Sequence, residues 1–249
     1  MAKFPRKKLD PAPPRLRDWH VRQVYHIYQR GSRRQRVFHS RAQLIGYLNQ
    51  FDRLARRLRV RVHAFCLMSN HVHFLLEPLT KWGISRLMQH LQSHYARKVH
   101  QAKGLTGHLW RHHFYAKPIQ SPAQYRATLL YIEQNPTAAN MVKKAHIYDY
   151  SSAPAHTTQQ THHRLKHRHH QCEVRLYLAR WRKEFPDHKN WAEWLRSPRD
   201  AGHQAELKEI ERILGTDRVQ KTPTFPLPQP QPTPKPQTAS AAPAPSNSS

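Results

Sequence analysis

An α+β fold, an antiparallel sheet with helices on one face, is what the sequence predicts. Three observations carry that expectation. Periodicity switches repeatedly between two-residue and 3.6-residue spacing across residues 19–150. The switches follow the order β-α-β-β-α-β-α, and turn or proline signals fall at the boundaries.

Each element has its own justification. Residues 21–28, VRQVYHIY, are rich in β-branched and aromatic side chains and end at the turn Arg30-Gly31-Ser32, which gives a first strand. Leu44, Ile45, Leu48, Phe51, Ala55 and Leu58 recur at helical spacing, so 41–58 is an amphipathic helix. Residues 59–68 alternate, placing Val60, Val62, Ala64 and Cys66 on one face and Arg61, His63 and Phe65 on the other. After a short turn at Ser69-Asn70, residues 71–77 alternate again and stop at Pro78. Ile84, Leu87, Met88, Leu91, Tyr95 and Val99 mark a second helix. Residues 113–119 form a short strand in which Pro118 suits an edge position. The last helix opens on Ser121 as N-cap with Pro122 in the first turn. It is expected to stop near Asn135, because Pro136 disfavours helical geometry in the residue before it. This is the ferredoxin-like split βαβ arrangement with one added helix.

Composition sets the surroundings of that domain. Lys and Arg outnumber Asp and Glu by 42 to 15, a formal charge of +27 in 249 residues. Such an excess repels itself in a compact state unless a polyanion neutralises it, and nucleic acid is the leading candidate partner. No apolar run approaches the roughly 18 residues that would span a bilayer, so a membrane partner is not expected. The first residues lack the apolar core of a secretory signal. The two cysteines, Cys66 and Cys172, fit a reducing compartment, hence a cytoplasmic, nucleoid-associated protein. Residues 1–18 read as a flexible basic arm, and 19–156 as the folded domain. Residues 157–221 read as a basic, partly helical extension, with Leu207, Ile210, Ile213 and Leu214 at helical spacing. Residues 222–249, nearly all Pro, Ala, Ser, Thr and Gln, read as a disordered tail.

Within the domain, His71 and His73 lie two apart on a strand and so present two imidazoles on one face, a spacing suited to a divalent ion. With 21 histidines in the chain, about one or two His-x-His triplets arise by chance, and His167-Arg168-His169 is another. What distinguishes 71–73 is its place on an otherwise apolar strand. On the last helix Tyr125, Leu129 and Ile132 form the apolar stripe. Ala127, Tyr131 and Asn135 form a second line about 100° away, which takes Tyr131 off the core stripe. Asn135 then offers a carbonyl oxygen one turn from the phenol, and small Ala127 leaves room for a substrate strand. Tyr95, on the apolar stripe of its own helix, reads as core. Arg53, Arg56, Arg57, Arg59 and Arg61 are either a phosphate track or a solvated face. Trp110 and Phe114 either stack on bases, with Arg111 beside them, or fill the core. The histidines between His156 and His170 are a solvated basic linker or a transition-metal cluster.

Four ordered motifs resemble a known family. They are M-S-N-H-V-H-F-L-L-E-P at 68–78, I-S-R-L-M-Q-H-L-Q-S-H-Y at 84–95, G-H-L-W-R-H-H-F-Y at 107–115 and L-L-Y-I-E-Q-N-P-T-A-A at 129–139. The segment Y-D-Y-S-S-A-P-A-H at 148–156 follows them. Together they resemble the single-tyrosine HUH transposases, most closely the REP-associated branch. The resemblance spans about residues 20–156. It implies a metal-dependent enzyme that cleaves single-stranded DNA at hairpin-forming repeats and transfers the strand through a 5′-phosphotyrosine. It also implies Mg²⁺ or Mn²⁺ on His71, His73 and Asn135, with Tyr131 as nucleophile, in a monomer or weak dimer. The family's C-terminal Gly-Arg-Pro-Leu-Gly stretch is missing after residue 170. Two other readings stand beside this one: a nucleic-acid-binding protein that keeps the fold without cutting, and a metal nuclease that uses water.

Overall fold

The computed structural model describes residues 19–196 apart from 105, 112, 168 and 169. The basic arm, the helix expected around residues 207–214 and the Pro-rich tail lie outside the described residues.

The βαββαβα order is present. Its elements are β1 (Tyr25–Arg30), α1 (Arg41–Arg57), β2 (Val60–Leu67), β3 (His71–Pro78), α2 (Gly83–Lys103), β4 (Tyr115–Pro118) and α3 (Pro122–Ala138). The strands lie in the order β2-β3-β1-β4, and each neighbouring pair is antiparallel. β1 begins later than its composition suggests. Arg22 adopts a left-handed φ of 66° and donates its N–H to the Pro78 carbonyl, so the chain turns before it can enter the sheet.

Two faces of the sheet do different work. Ile27, Phe65, Val72, Phe74 and Leu76 are fully buried. α1 closes the face they occupy, with Phe51 stacked on Phe74 at 4.4 Å and near Phe65 at 6.4 Å. α2 is joined to α1 by the Gln92 amide, which donates to the Tyr47 hydroxyl at 3.1 Å. α3 covers the opposite face, where Tyr125 meets His63 and Tyr131 meets His73.

The simple alternation expected of β2 does not hold. Val62 pairs with Leu76 but Ala64 pairs with Leu75, so the register shifts at His63. The bulge adds one residue and flips the rest of the strand. Val60 and Val62 therefore share the α1 face with Phe65 and Leu67, while Ala64 and Cys66 share the His73 face. α3 also departs from expectation, running through Pro136 to Ala138 rather than stopping at Asn135. A proline inside a helix removes one hydrogen bond and costs about 3 kcal/mol. Packing offsets this: Pro136 is buried, and Gln134 donates to the Leu195 carbonyl at 3.3 Å.

The region after residue 140 is folded onto the domain. Its elements are α4 (Ala153–Thr157), β5 (His162–His167), β6 (His170–Arg175), α5 (Leu178–Glu184) and α6 (Trp191–Trp194). Segment 150–152 runs along the outer edge of β2, with Leu67 N–H donating to the Tyr150 carbonyl and Ser152 N–H to the Phe65 carbonyl, both at 2.9 Å. The β5–β6 hairpin sits on α1, where Asn49 donates to the Gln171 carbonyl at 2.5 Å and Asp52 accepts from Arg175 N–H at 3.0 Å. The solvated linker expected here is thus replaced by structure: His156 is fully buried, and His163 is buried with its ring on the Asp149 carbonyl at 2.7 Å. Composition concealed the alternation of His163 and Leu165 against Cys172 and Val174, which gives the hairpin an inner face. A single apolar core extends from Trp19 to Leu195. Among the described residues no helix is long and apolar enough to cross a membrane.

Phe74 fills the centre of the α1 face. Phe74→Ala is expected to lower unfolding stability by about 3–5 kcal/mol, the range for an aromatic deleted from a core that cannot collapse. Urea denaturation checks this, and a loss below about 1 kcal/mol contradicts the packing described.

Candidate active site

The register of β1 against β3 builds the site. Tyr28 lies opposite His73, and His26 and His71 sit two residues away along the same face. The rings of His71 and His73 are 5.0 Å apart and perpendicular, and Tyr28 lies 4.9 Å from His73 and 5.6 Å from His71. From α3, the Tyr131 ring stands edge-on to His73 at 5.4 Å and to His26 at 6.1 Å. The structure therefore brings Tyr131 to His73 and His26 within one chain. It does not leave the helix face open. Tyr131 is 9% exposed and Ala127 only 1%, so the space expected beside Ala127 is filled. α3 is buried on nearly every side, because residues beyond 140, invisible to a stripe count on one helix, pack on its back. The environment of the phenol is polar all the same, since imidazoles face it.

Hydrogen bonding orients the histidines. Asn70 Oδ1 lies 2.6 Å from His71 Nδ1, which makes Nδ1 the donor and leaves the lone pair on Nε2. His26 Nε2 and His73 Nδ1 share a proton at 3.0 Å. His73 Nε2 is buried and has no hydrogen-bond partner, a state that costs about 1–3 kcal/mol unless a ligand fills it. Burial, with help from Arg30, pushes His71 down to about 3; burial, with help from Lys117, does the same to His26. His73 is driven well below the ordinary histidine range, first by burial and then by His71, His26 and Arg30. These rings are neutral at physiological pH, the form that coordinates a cation. The Asn135 amide nitrogen donates to the Tyr131 carbonyl at 2.7 Å, so Oδ1 is the atom that side chain has to offer. Among the described residues no group of three or more His, Cys, Asp or Glu converges on one point. Two imidazoles with an amide, water or phosphate oxygen match the needs of a divalent ion here.

The sequence points to Arg111 but not to Arg30 and Arg34, which form a basic rim with it. Arg30, at the end of β1, sits over the Tyr28 ring at 5.5 Å. Arg30, Arg34 and Arg111 all act on the Tyr28 hydroxyl, whose pKa is raised, chiefly by burial. Arg30 itself is lowered, first by its own burial, with Arg34 and Arg111 also lowering it. Arg111 N–H donates to the Arg30 carbonyl and Gly31 N–H to the Asn70 carbonyl, both at 2.8 Å, which ties the rim to the mouth of β3. Gly31 is required there, since a Cβ would meet Gln35 O at 2.4 Å and Val37 Cγ1 at 2.8 Å. The available signal was an arginine continuing the His26, Tyr28 alternation, hidden because Arg30 also reads as the start of a turn.

Other expected DNA contacts lie elsewhere. Arg53 and Arg57 are exposed on α1, across the sheet from His73. Arg59 is exposed at the start of β2 with a left-handed φ of 54°. Arg61 is bound to Glu77 at 2.9 Å and lies 4.1 Å over the Tyr177 ring, so it is already neutralised. Trp110 is buried among Phe38, Tyr47 and Tyr95, which rules out base stacking in this conformation. Phe114 is partly buried and stacked on Trp19 at 6.1 Å. Only Arg111 of the expected set stands at the site.

The buried neutral histidines make stability pH-dependent. His26 and His71 have folded pKa values of about 3, against about 6.5 in an unfolded chain, so the unfolded state binds more protons between those values. The stability they confer is complete above about pH 6.5 and is lost as pH falls toward 3. Urea midpoints measured from pH 7.5 to 4 should decline steadily, and His26→Gln should flatten the decline. A midpoint constant over that range contradicts the burial of these rings as neutral groups.

Comparison with known proteins places the domain. Residues 20–135 match the family model described as transposase IS200 like. Among solved structures, the chain is similar to a REP-associated tyrosine transposase bound to a REP hairpin. That match has 16% identity and a TM-score of 0.47, covering 64% of this chain and 87% of that one. It is also similar to a protein from Deinococcus radiodurans R1 described as a candidate transposase. There the identity is 18% and the TM-score 0.35, covering 44% of this chain and 88% of that one. No curated protein matches the chain. The likeness to the IS200-like transposases thus spans residues 20–135, just under half of the chain.

Proposed function

We propose that this transposase cleaves and rejoins single-stranded DNA at hairpin-forming repeats, with Tyr131 as the nucleophile and His71, His73 and Asn135 as the ligands of Mg²⁺ or Mn²⁺. The observation that carries the reading is the Tyr131 ring 5.4 Å from His73 within one chain. The motifs around both residues favour the REP-associated branch. The same juxtaposition favours a monomer, since Tyr131 meets His73 without a second chain.

Each residue has a task. His71 and His73, held neutral by burial, present nitrogen lone pairs; Asn70 fixes the His71 ring and His26 the His73 ring. A divalent ion held by His71, His73 and Asn135 would supply positive charge to the oxygens of the scissile phosphate. Arg30, Arg34 and Arg111, which all act on the Tyr28 hydroxyl, hold that phosphate at the mouth of the site. The Tyr131 phenol, with a reference pKa of about 10, loses its proton to water as its oxygen attacks phosphorus. The new Tyr–O–P bond forms as the P–O3′ bond breaks, and the departing 3′-oxygen takes up a proton. The phosphotyrosine conserves the energy of the phosphodiester, so a second 3′-hydroxyl reverses the step without ATP. The basic surface and reducing-type cysteine usage suit a cytoplasmic, nucleoid-associated enzyme.

The test uses a pool of oligonucleotides, each a hairpin with randomised single-stranded flanks, labelled at either end and incubated with Mn²⁺. A denaturing gel should show a covalent adduct carrying the 3′-side fragment, absent in Tyr131→Phe. Cleavage that persists in Tyr131→Phe assigns a water nuclease instead, and binding without cleavage assigns a binding protein. Affinity for the pool should fall steeply with salt, and Arg30→Gln should reduce the log–log slope by about 1. Filter binding from low to physiological salt checks this, and an unchanged slope removes Arg30 from the phosphate contacts.

A further inference from the structure

A second buried polar cluster lies on the far side of α3 and takes no part in the chemistry above. Glu133, two residues beyond Tyr131, is completely buried. Three donors converge on its carboxylate. His156 Nδ1 reaches Oε1 at 2.5 Å, the Ser152 hydroxyl donates to the same oxygen, and Trp191 Nε1–H donates to Oε2 at 2.8 Å. Ser152, His156 and Trp191 all lie beyond the 20–135 segment that matches the transposase family. The His156 ring is stacked on Trp181 at 4.8 Å and meets Trp191 edge-on at 5.9 Å, so it has little freedom to turn.

Ser152 connects this cluster to the sheet. Its hydroxyl accepts from Phe65 N–H at 3.1 Å, and its own N–H donates to the Phe65 carbonyl at 2.9 Å. Phe65 is followed by Cys66, the β2 residue paired with His73. A short path of hydrogen bonds therefore runs from the strand beside His73, through Ser152, to the helix that carries Tyr131. The other end of α3 is tied down separately. The Tyr125 hydroxyl meets His63 Nδ1 at 2.9 Å, and His63 Nε2 meets Glu77 at 3.1 Å. Tyr131 lies between the two anchors.

We infer that Glu133 is a positioning residue: with Ser152, His156 and Trp191 it fixes the distance between α3 and the sheet, and so holds the Tyr131 phenol against His73. An ion-pair or carboxylate network buried for stability alone is often no better than apolar packing of the same shape. Three directional bonds instead specify one placement of the helix, and a misplacement of about 1 Å at a reacting atom costs about 100-fold in rate. The inference rests on the proposed role of Tyr131, and it makes segment 150–195 part of the catalytic apparatus.

The experiment compares the full chain with Glu133→Gln, Trp191→Phe and His156→Asn, which keeps an N–H donor, using the hairpin pool with Mn²⁺. At saturating DNA, and far below the unfolding temperature, Glu133→Gln should form adduct about 10- to 100-fold more slowly, with pool affinity unchanged. Trp191→Phe should lose less, and His156→Asn should retain more activity than His156→Leu. Amide hydrogen exchange in residues 125–138 should quicken at least about 10-fold in Glu133→Gln while β1 and β3 keep their protection. An adduct rate within about twofold of the parent in folded Glu133→Gln overturns the inference. If Glu133→Gln does not fold, the single-donor variants give the same reading, and parent-like rates in both overturn it. If the parent forms no adduct, the Tyr131 chemistry fails on its own. The exchange arm then decides the anchor, which unchanged protection of residues 125–138 removes.

Discussion

The antiparallel register of β1 and β3 is the constraint on which the rest depends. It sets Tyr28 opposite His73 and Ile27 opposite Phe74, so one face carries imidazoles and phenols while the other is mostly apolar, with Gln29 opposite Val72 as an exception. Because strand side chains alternate, a slip of one residue sends His71 and His73 into the α1 interface and brings Val72 and Phe74 to the site. The cost of taking Phe74 out of its stack with Phe51 and setting two imidazoles among hydrocarbon forbids that slip. The apolar core thus specifies the polar site without touching it, and the stacking of Phe51 on Phe74 is as much a determinant of histidine placement as any hydrogen bond.

Electrostatics at the site follow from the same geometry. Burial removes the charge from His26, His71 and His73, while Arg30, Arg34 and Arg111 supply a permanent positive field at the entrance. Neutral donors behind fixed cations suit a ligand that is itself a cation–phosphate assembly. Only a small part of the +27 excess is spent here; Arg53 and Arg57 are displayed on the opposite side of the sheet, where they add to the general field rather than to this contact.

Much of this was legible from residue order, and the failures have physical causes. Element type and sequence were readable because each segment satisfies its own periodicity. The pairing of His71 and His73 on one face follows from a two-residue repeat alone. The bulge at His63 was not readable: a run of alternating residues is the same string whether or not one position is unpaired. Pro136 misleads because its local backbone preference is real but is outweighed by its burial and by the bond from Gln134 to Leu195. Trp110 is ambiguous between stacking and packing in the sequence, and Phe38, Tyr47 and Tyr95 around it decide for packing. Glu133 sits in the quoted motif as an unremarkable helix residue, since its partners at 152, 156 and 191 come from segments whose docking no local pattern encodes.

The borders of the sheet have a consequence of their own. Along β2, Ser151 forms a bridge with Cys66 and its neighbours occupy the backbone groups on that side. Along β4, the strand is four residues long and carries Lys117 beside Pro118, which has no N–H to offer. Among the described residues neither rim presents a long run of vacant amides, so a second copy finds little template on which to lengthen the sheet. Were the +27 charge to gather many copies along one polyanion, that closure would guard against amyloid-like stacking just where crowding is greatest.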